Sequence, residues 1–108
     1  MPDPLRLGEV EHLVLLAVLR LDGDAYAVPI RDVILDETGI GLPRGSIYIT
    51  LDRLETKGYL KSRLAEPTPE RGGRSKRYYT LRPTAVEALR DSRRALVALW
   101  RGLEAKLA

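Results

Sequence analysis

The chain has 108 residues, 44% hydrophobic and 31% charged, with 18 Lys and Arg against 15 Asp and Glu and a formal net charge of +3. One domain of modest core fits that length and two do not, since domains usually run to about 100–200 residues. The absence of cysteine excludes a disulfide framework and a thiolate metal site, and suits a reducing compartment.

The longest apolar run, Leu13 to Leu19, is far below the roughly 20 residues of a membrane span. The acidic start is unlike a signal peptide. A cytoplasmic protein with no membrane partner is the expectation. The mild overall charge hides a local one. Residues 1 to 60 carry 6 Lys and Arg against 10 Asp and Glu, residues 61 to 81 carry 6 against 2, and residues 82 to 108 carry 6 against 3. A polyanion would be drawn to the middle segment and repelled by much of the first half.

In chain order, Gly8 to Leu21 has helical spacing in Val10, Leu13, Val14, Ala17 and Leu21, with Leu15, Leu16, Val18 and Leu19 on the other faces. A helix apolar nearly all round in so small a domain has to be sandwiched. Asp22-Gly-Asp24 ends it with turn chemistry. A second helix is expected from about Tyr26 to Glu37, with Pro29 tolerable in the first turn. A third runs from about Pro43 to Lys57 and closes at Gly58. Ile47, Leu51, Leu54 and Gly58 fall on one side of it and Ser46, Thr50, Arg53 and Lys57 on another, so the first set packs and the second is free to touch a partner.

Tyr59 to Ala65 and Lys76 to Leu81 read as short strands with Leu60, Tyr79 and Leu81 facing the core. Between them lies a turn rich in Gly and Pro, Pro67-Thr-Pro-Glu-Arg-Gly-Gly-Arg74, followed by Lys76-Arg-Tyr-Tyr79. Pro83 to Leu107 reads as one long helix. Either Pro83 is its first residue or Thr84 and Glu87 form a capping box. Its stripe of Leu89, Leu96, Trp100, Leu103 and Leu107, with Leu99 alongside, asks for a partner.

This order gives a mainly α fold with a small β-hairpin: a winged helix-turn-helix over residues 1–82 and a C-terminal dimerisation helix over 83–108. The third helix would enter the major groove of double-stranded DNA while the hairpin lays cations on the adjacent backbone. Thr50 and Arg53 are the candidate base readers, with Arg53 alternatively in a surface ion pair with Asp52 or Glu55. Ser46 either contacts DNA or stabilises its own helical turn, and Tyr48 either packs or reaches a phosphate. Lys57 shares their face. Arg71, Arg74, Lys76 and Arg77, with Tyr78, would serve the phosphate backbone, and Gly72 and Gly73 would let the turn come close.

An enzyme is not expected. His12 is the lone histidine and sits on an apolar helix, and no phosphate loop, catalytic acid pair or metal-ligand spacing is present, so neither cofactor nor metal is implied. The competing reading is a winged helix used for protein contact with a merely solvated hairpin.

Several stretches resemble the PadR family of bacterial transcriptional regulators, in particular its short subfamily with a single C-terminal helix. They are Leu7-Gly-Glu9, Asp24-Ala-Tyr26, Gly45-Ser-Ile-Tyr-Ile-Thr-Leu-Asp-Arg-Leu-Glu55 through Lys57-Gly58, and the Pro67 to Arg74 and Lys76 to Tyr79 segments. The resemblance covers residues 7 to about 90. It implies a homodimeric repressor on an inverted-repeat operator, with Tyr48 facing DNA. It also makes Trp100 a candidate contact for a small aromatic or apolar effector, because some similar regulators hold planar compounds against a Trp of this helix. Otherwise Trp100 is an interface aromatic.

Overall fold

The computed structural model describes residues 7–66 and 76–107. Helix α1 spans Glu9–Leu21, α2 Ala27–Thr38, α3 Arg44–Thr56 and α4 Pro83–Trp100, while strands β1 (Leu60–Leu64) and β2 (Arg77–Leu81) pair antiparallel between α3 and α4. Each boundary of the first five elements falls within two residues of its expected place.

Local chemistry explains where these elements stop. Asp22 ends α1 in a left-handed conformation, φ 39°, with its N–H donating to the Val18 carbonyl at 3.3 Å. At the end of α2 the Thr38 hydroxyl donates to the Ile34 carbonyl at 2.6 Å and accepts from the Ile40 N–H at 3.0 Å. Helix α3 closes in a Schellman motif: Tyr59 N–H donates to Leu54 O at 2.9 Å and Gly58 N–H to Glu55 O at 3.0 Å, with Gly58 at φ 82°. That turn delivers the chain directly into β1.

The core forms where one stripe of each helix meets the hairpin. Val14, Leu15 and Val18 of α1, Ile30 and Ile34 of α2, Ile47, Leu51 and Leu54 of α3, and Leu60 and Tyr79 of the strands are buried together. Each fully buried Leu or Ile contributes about 1.5–3 kcal/mol. As its composition required, α1 is the sandwiched helix. It packs against α2, α3 and β2, although Leu16 and Leu19 remain exposed. Leu60 and Tyr79 face the core as expected, and Leu81 packs against it half-buried.

The hairpin is fastened on both sides. Leu60 pairs with Leu81 and Leu64 with Arg77, and the ladder continues with Ala65 N–H to Lys76 O at 2.8 Å. On the outer edge of β2, Tyr79 N–H donates to the Ala25 carbonyl at 2.8 Å, which ties the strand to the α1–α2 connection.

Helix α4 starts with Pro83 in its first turn, and the Thr84 hydroxyl donates to the Gly58 carbonyl at 2.6 Å. The alternative of a Thr84 cap is thereby excluded. Ala85, Ala88 and Ser92 are buried; from Arg93 onward α4 carries no buried residue and projects from the body. The radius of gyration is 15.7 Å, against about 13 Å for a compact chain of this length.

The expected single helix to Leu107 is corrected. Helix α4 has 18 residues and ends at Trp100. Arg101 turns to an extended ψ of 123°, Gly102 takes φ 83°, and a 3-10 turn covers Glu104–Lys106. Glycine at a left-handed position is the usual helix stop, and the apolar pattern beyond it masked the break. No described helix is long and apolar enough to cross a membrane.

Candidate nucleic-acid interface

With Ile47, Thr50, Leu51 and Leu54 turned inward, α3 presents Tyr48, Ile49, Asp52 and Arg53 outward. The expected face therefore needs rotating. Thr50 is only 5% exposed and cannot offer its hydroxyl to a groove. It lies three residues after Ile47 and four before Leu54, and at about 100° per residue it falls within about 60° of both. Its polarity suggested the surface; its small size lets it pack.

Arg53 is exposed and makes no ion pair with Asp52 or Glu55 among the described residues. Glu55 is already engaged, accepting from the Ser62 hydroxyl at 2.7 Å. Tyr48 is 52% exposed beside the α2 N-terminus and the hairpin stem, and Ser46 is half-buried in the first turn of α3. Among the described residues no side-chain cap closes the N-terminus of α3.

Lys57 has a different position from the one its place in the sequence suggested. Its Nζ donates to Glu11 Oε2 at 2.7 Å, so the end of α3 is tied to α1 rather than left free. The same carboxylate accepts from the Gly8 N–H through Oε1 at 2.9 Å. Burial acts to raise the Glu11 pKa, but the hydrogen bonds from Lys57 and Gly8 and the charges of Lys57 and Arg53 outweigh it and hold the group below its ordinary value. Sequence reasoning missed Glu11. Its signal was a carboxylate on an otherwise apolar face, three residues after Gly8.

In the hairpin stem the aromatic and basic side chains interlock. Tyr26 and Tyr78 meet edge to face, with ring centroids 5.3 Å apart. The Arg63 guanidinium lies over Tyr78 at 4.8 Å and the Lys76 ammonium over Tyr26 at 4.1 Å. Arg77 donates to the Ser62 hydroxyl at 2.9 Å, extending a chain of bonds to Glu55 on α3. Burial raises the Tyr79 pKa above its ordinary value, which keeps the phenol neutral. Thus Lys76, Arg77 and Tyr78 sit on one stem beside α3, while Arg71, Gly72, Gly73 and Arg74 lie outside the described residues.

A second feature runs between α1 and α4. Leu16 and Leu19 of α1 face Leu89, Leu96, Val97 and Trp100 of α4 across an apolar groove of about 530 Å³. His12 also lines it, with a buried Nε2 that has no hydrogen-bond partner among the described residues. At the far end, Leu96, Leu99, Trp100, Leu103 and Leu107 gather around a depression of about 190 Å³. Although Leu103 and Leu107 have left the helix, the turn at Gly102 keeps them beside it. Leu99 is 76% exposed and Trp100 48%.

Three helices, an antiparallel hairpin and a bare face on the third helix define a winged helix-turn-helix protein. Solved structures share the arrangement. A PadR family transcription regulator from hypervirulent Clostridium difficile R20291 is 20% identical, with a TM-score of 0.75 over 94% of this chain and 100% of that one. A padr family transcriptional regulator from Eggerthella lenta DSM 2243 is 25% identical, with a TM-score of 0.68 over 92% and 86%. A PadR-like transcription factor from bacteroid fragilis is 26% identical, with a TM-score of 0.62 over 91% and 85%. No curated protein matches the chain. The model of the transcriptional regulator PadR-like family matches residues 15–91, and the chain belongs to that family. It is a family of transcriptional regulators.

Proposed function

We propose that this protein is a cytoplasmic, homodimeric transcriptional repressor that occupies an inverted-repeat operator and leaves it when a small apolar effector enters the α1–α4 groove. In this reading residues 1–82 bind double-stranded DNA and residues 83–108 join two copies. The observation that carries it is the two-sidedness of α3: four residues lock one side into the core while Tyr48 and Arg53 stand bare on the other. A helix so held fits the major groove, where an arginine pairs bidentately with guanine.

Dimerisation is supported by the uncovered leucines and Trp100 on the projecting part of α4. Exposed apolar surface of that kind marks an interaction site. Paired subunits would offer two α3 faces to half-sites about 34–36 Å apart or a multiple of it. Tyr48, Arg53 and Ser46 would contact the duplex. Lys76, Arg77 and Tyr78, with Arg71, Gly72, Gly73 and Arg74, would follow its phosphates. Trp100 would form one wall of the effector site.

Retardation of fragments from upstream of the protein's own gene, titrated over salt, tests the reading. Log affinity should fall linearly with log salt, with a slope of about 0.9 per phosphate neutralised. Binding to no fragment, combined with salt-indifferent capture of another protein, would assign the fold to protein contact instead. Sedimentation equilibrium should give twice the 12.1 kDa chain mass.

A further inference from the structure

Ile49 stands 60% exposed on the outer face of α3, flanked around the helix by Asp52 and by Arg53 four residues on. The inward stripe of α3 is complete without it, and it lies outside the apolar α1–α4 groove. A β-branched side chain lowers helix propensity and gains nothing by facing water. At this position it therefore weakens the helix without adding to the core. Its neighbours are the residues of this face that have hydroxyl, carboxylate and guanidinium groups, so the face is amphipathic at the point where it would meet a base edge.

We propose that Ile49 reads sequence by packing against the 5-methyl group of a thymine in the major groove, alongside the base read by Arg53. The inference rests on the DNA-binding reading above. All four bases present hydrogen-bond donors or acceptors in the major groove, and thymine alone adds a methyl group, beside its O4 acceptor. Ile49 and Arg53 share a face, about 40° apart, because they are four residues apart on a helix. Four residues also give an axial separation of about 6 Å, which is close to two base-pair steps of about 3.4 Å. Each half-site should thus carry a thymine about two steps from the base read by Arg53.

The test uses duplexes selected from a random pool by the wild-type protein, each remade with one symmetric thymine pair replaced by uracil, which lacks only the methyl group. The wild type should lose about fourfold in affinity per half-site at one such position, the worth of one buried methyl. Ile49→Ala should bind the thymine and uracil duplexes alike. It should keep the wild-type affinity for random duplex and an unchanged or higher thermal midpoint, since alanine favours the helix. Uracil tolerated by the wild type at every position would overturn the proposal, as would a uracil penalty that survives in Ile49→Ala. Failure to select any sequence over random duplex would remove the DNA-reading function itself. Specific selection without methyl sensitivity would remove only the role of Ile49.

Discussion

The Lys57 ammonium, at the end of α3, donates to the Glu11 carboxylate of α1 at 2.7 Å, and the Glu11 side chain is only 8% exposed. Removing the lysine strands a carboxylate with little access to water. Lys57→Met should lower stability by about 1–2 kcal/mol, less than for a fully buried pair because Lys57 itself meets solvent. Urea titration would measure it. A change below a few tenths would show that the pair contributes nothing.

The same pair predicts a pH dependence. The Glu11 pKa is depressed in the folded state from an ordinary 4.5. Its contribution is therefore present above pH 4.5 and is lost as pH falls through the folded value, because the unfolded chain binds the proton first. Thermal midpoints should decline more steeply below pH 4.5 for the wild type than for Glu11→Gln, which has no such proton to take up.

Arg53→Ala should cost about 1–3 kcal/mol of affinity for the selected operator and much less for random duplex, as expected for a base contact. Equal losses on both duplexes would demote Arg53 to a phosphate contact. Thr50→Val provides the control. A residue 5% exposed makes no base contact, so operator affinity should stay within about twofold once folding is verified.

Arg71→Ala and Arg74→Ala should weaken specific and random duplex alike and flatten the salt dependence. Each phosphate contact removed lowers the slope by about 0.9. A change in sequence preference without a change in slope would contradict a backbone role for the hairpin turn.

Trp100 is the single tryptophan of the chain, so its fluorescence reports its surroundings without ambiguity. Dilution through the proposed dimer equilibrium should shift its emission to the red as the ring meets water. Addition of a planar aromatic effector should quench it. Trp100→Ala should abolish the effector response; a stable dimer that still releases DNA on effector addition would rule out the ring as a wall of that site.

How far the sequence led depended on whether a residue's environment is set locally. The stops at Asp22 and Gly58 are local, and the ends of α1 and α3 were legible from them. The core stripe of α3 was legible from Ile47, Leu51 and Leu54, which repeat at helical spacing. Thr50 was not, because polarity and burial give opposite signals at a small side chain. The end of α4 was missed because Leu103 and Leu107 kept an apolar rhythm across Gly102, whose left-handed conformation interrupts the backbone without interrupting that rhythm. The tie between Glu11 and Lys57 joins residues 46 positions apart, a separation at which no spacing rule operates.

The interlocked stack of Lys76, Tyr26, Tyr78 and Arg63 joins the root of the hairpin to the start of α2, while the bonds from Arg77 through Ser62 to Glu55 join it to α3. The gap between the hairpin stem and α3 is thus set like the jaws of a calliper, and under the proposed function the duplex has to adjust to it. Operators whose intervening steps bend or narrow at low energetic cost will then be favoured even where no side chain touches a base.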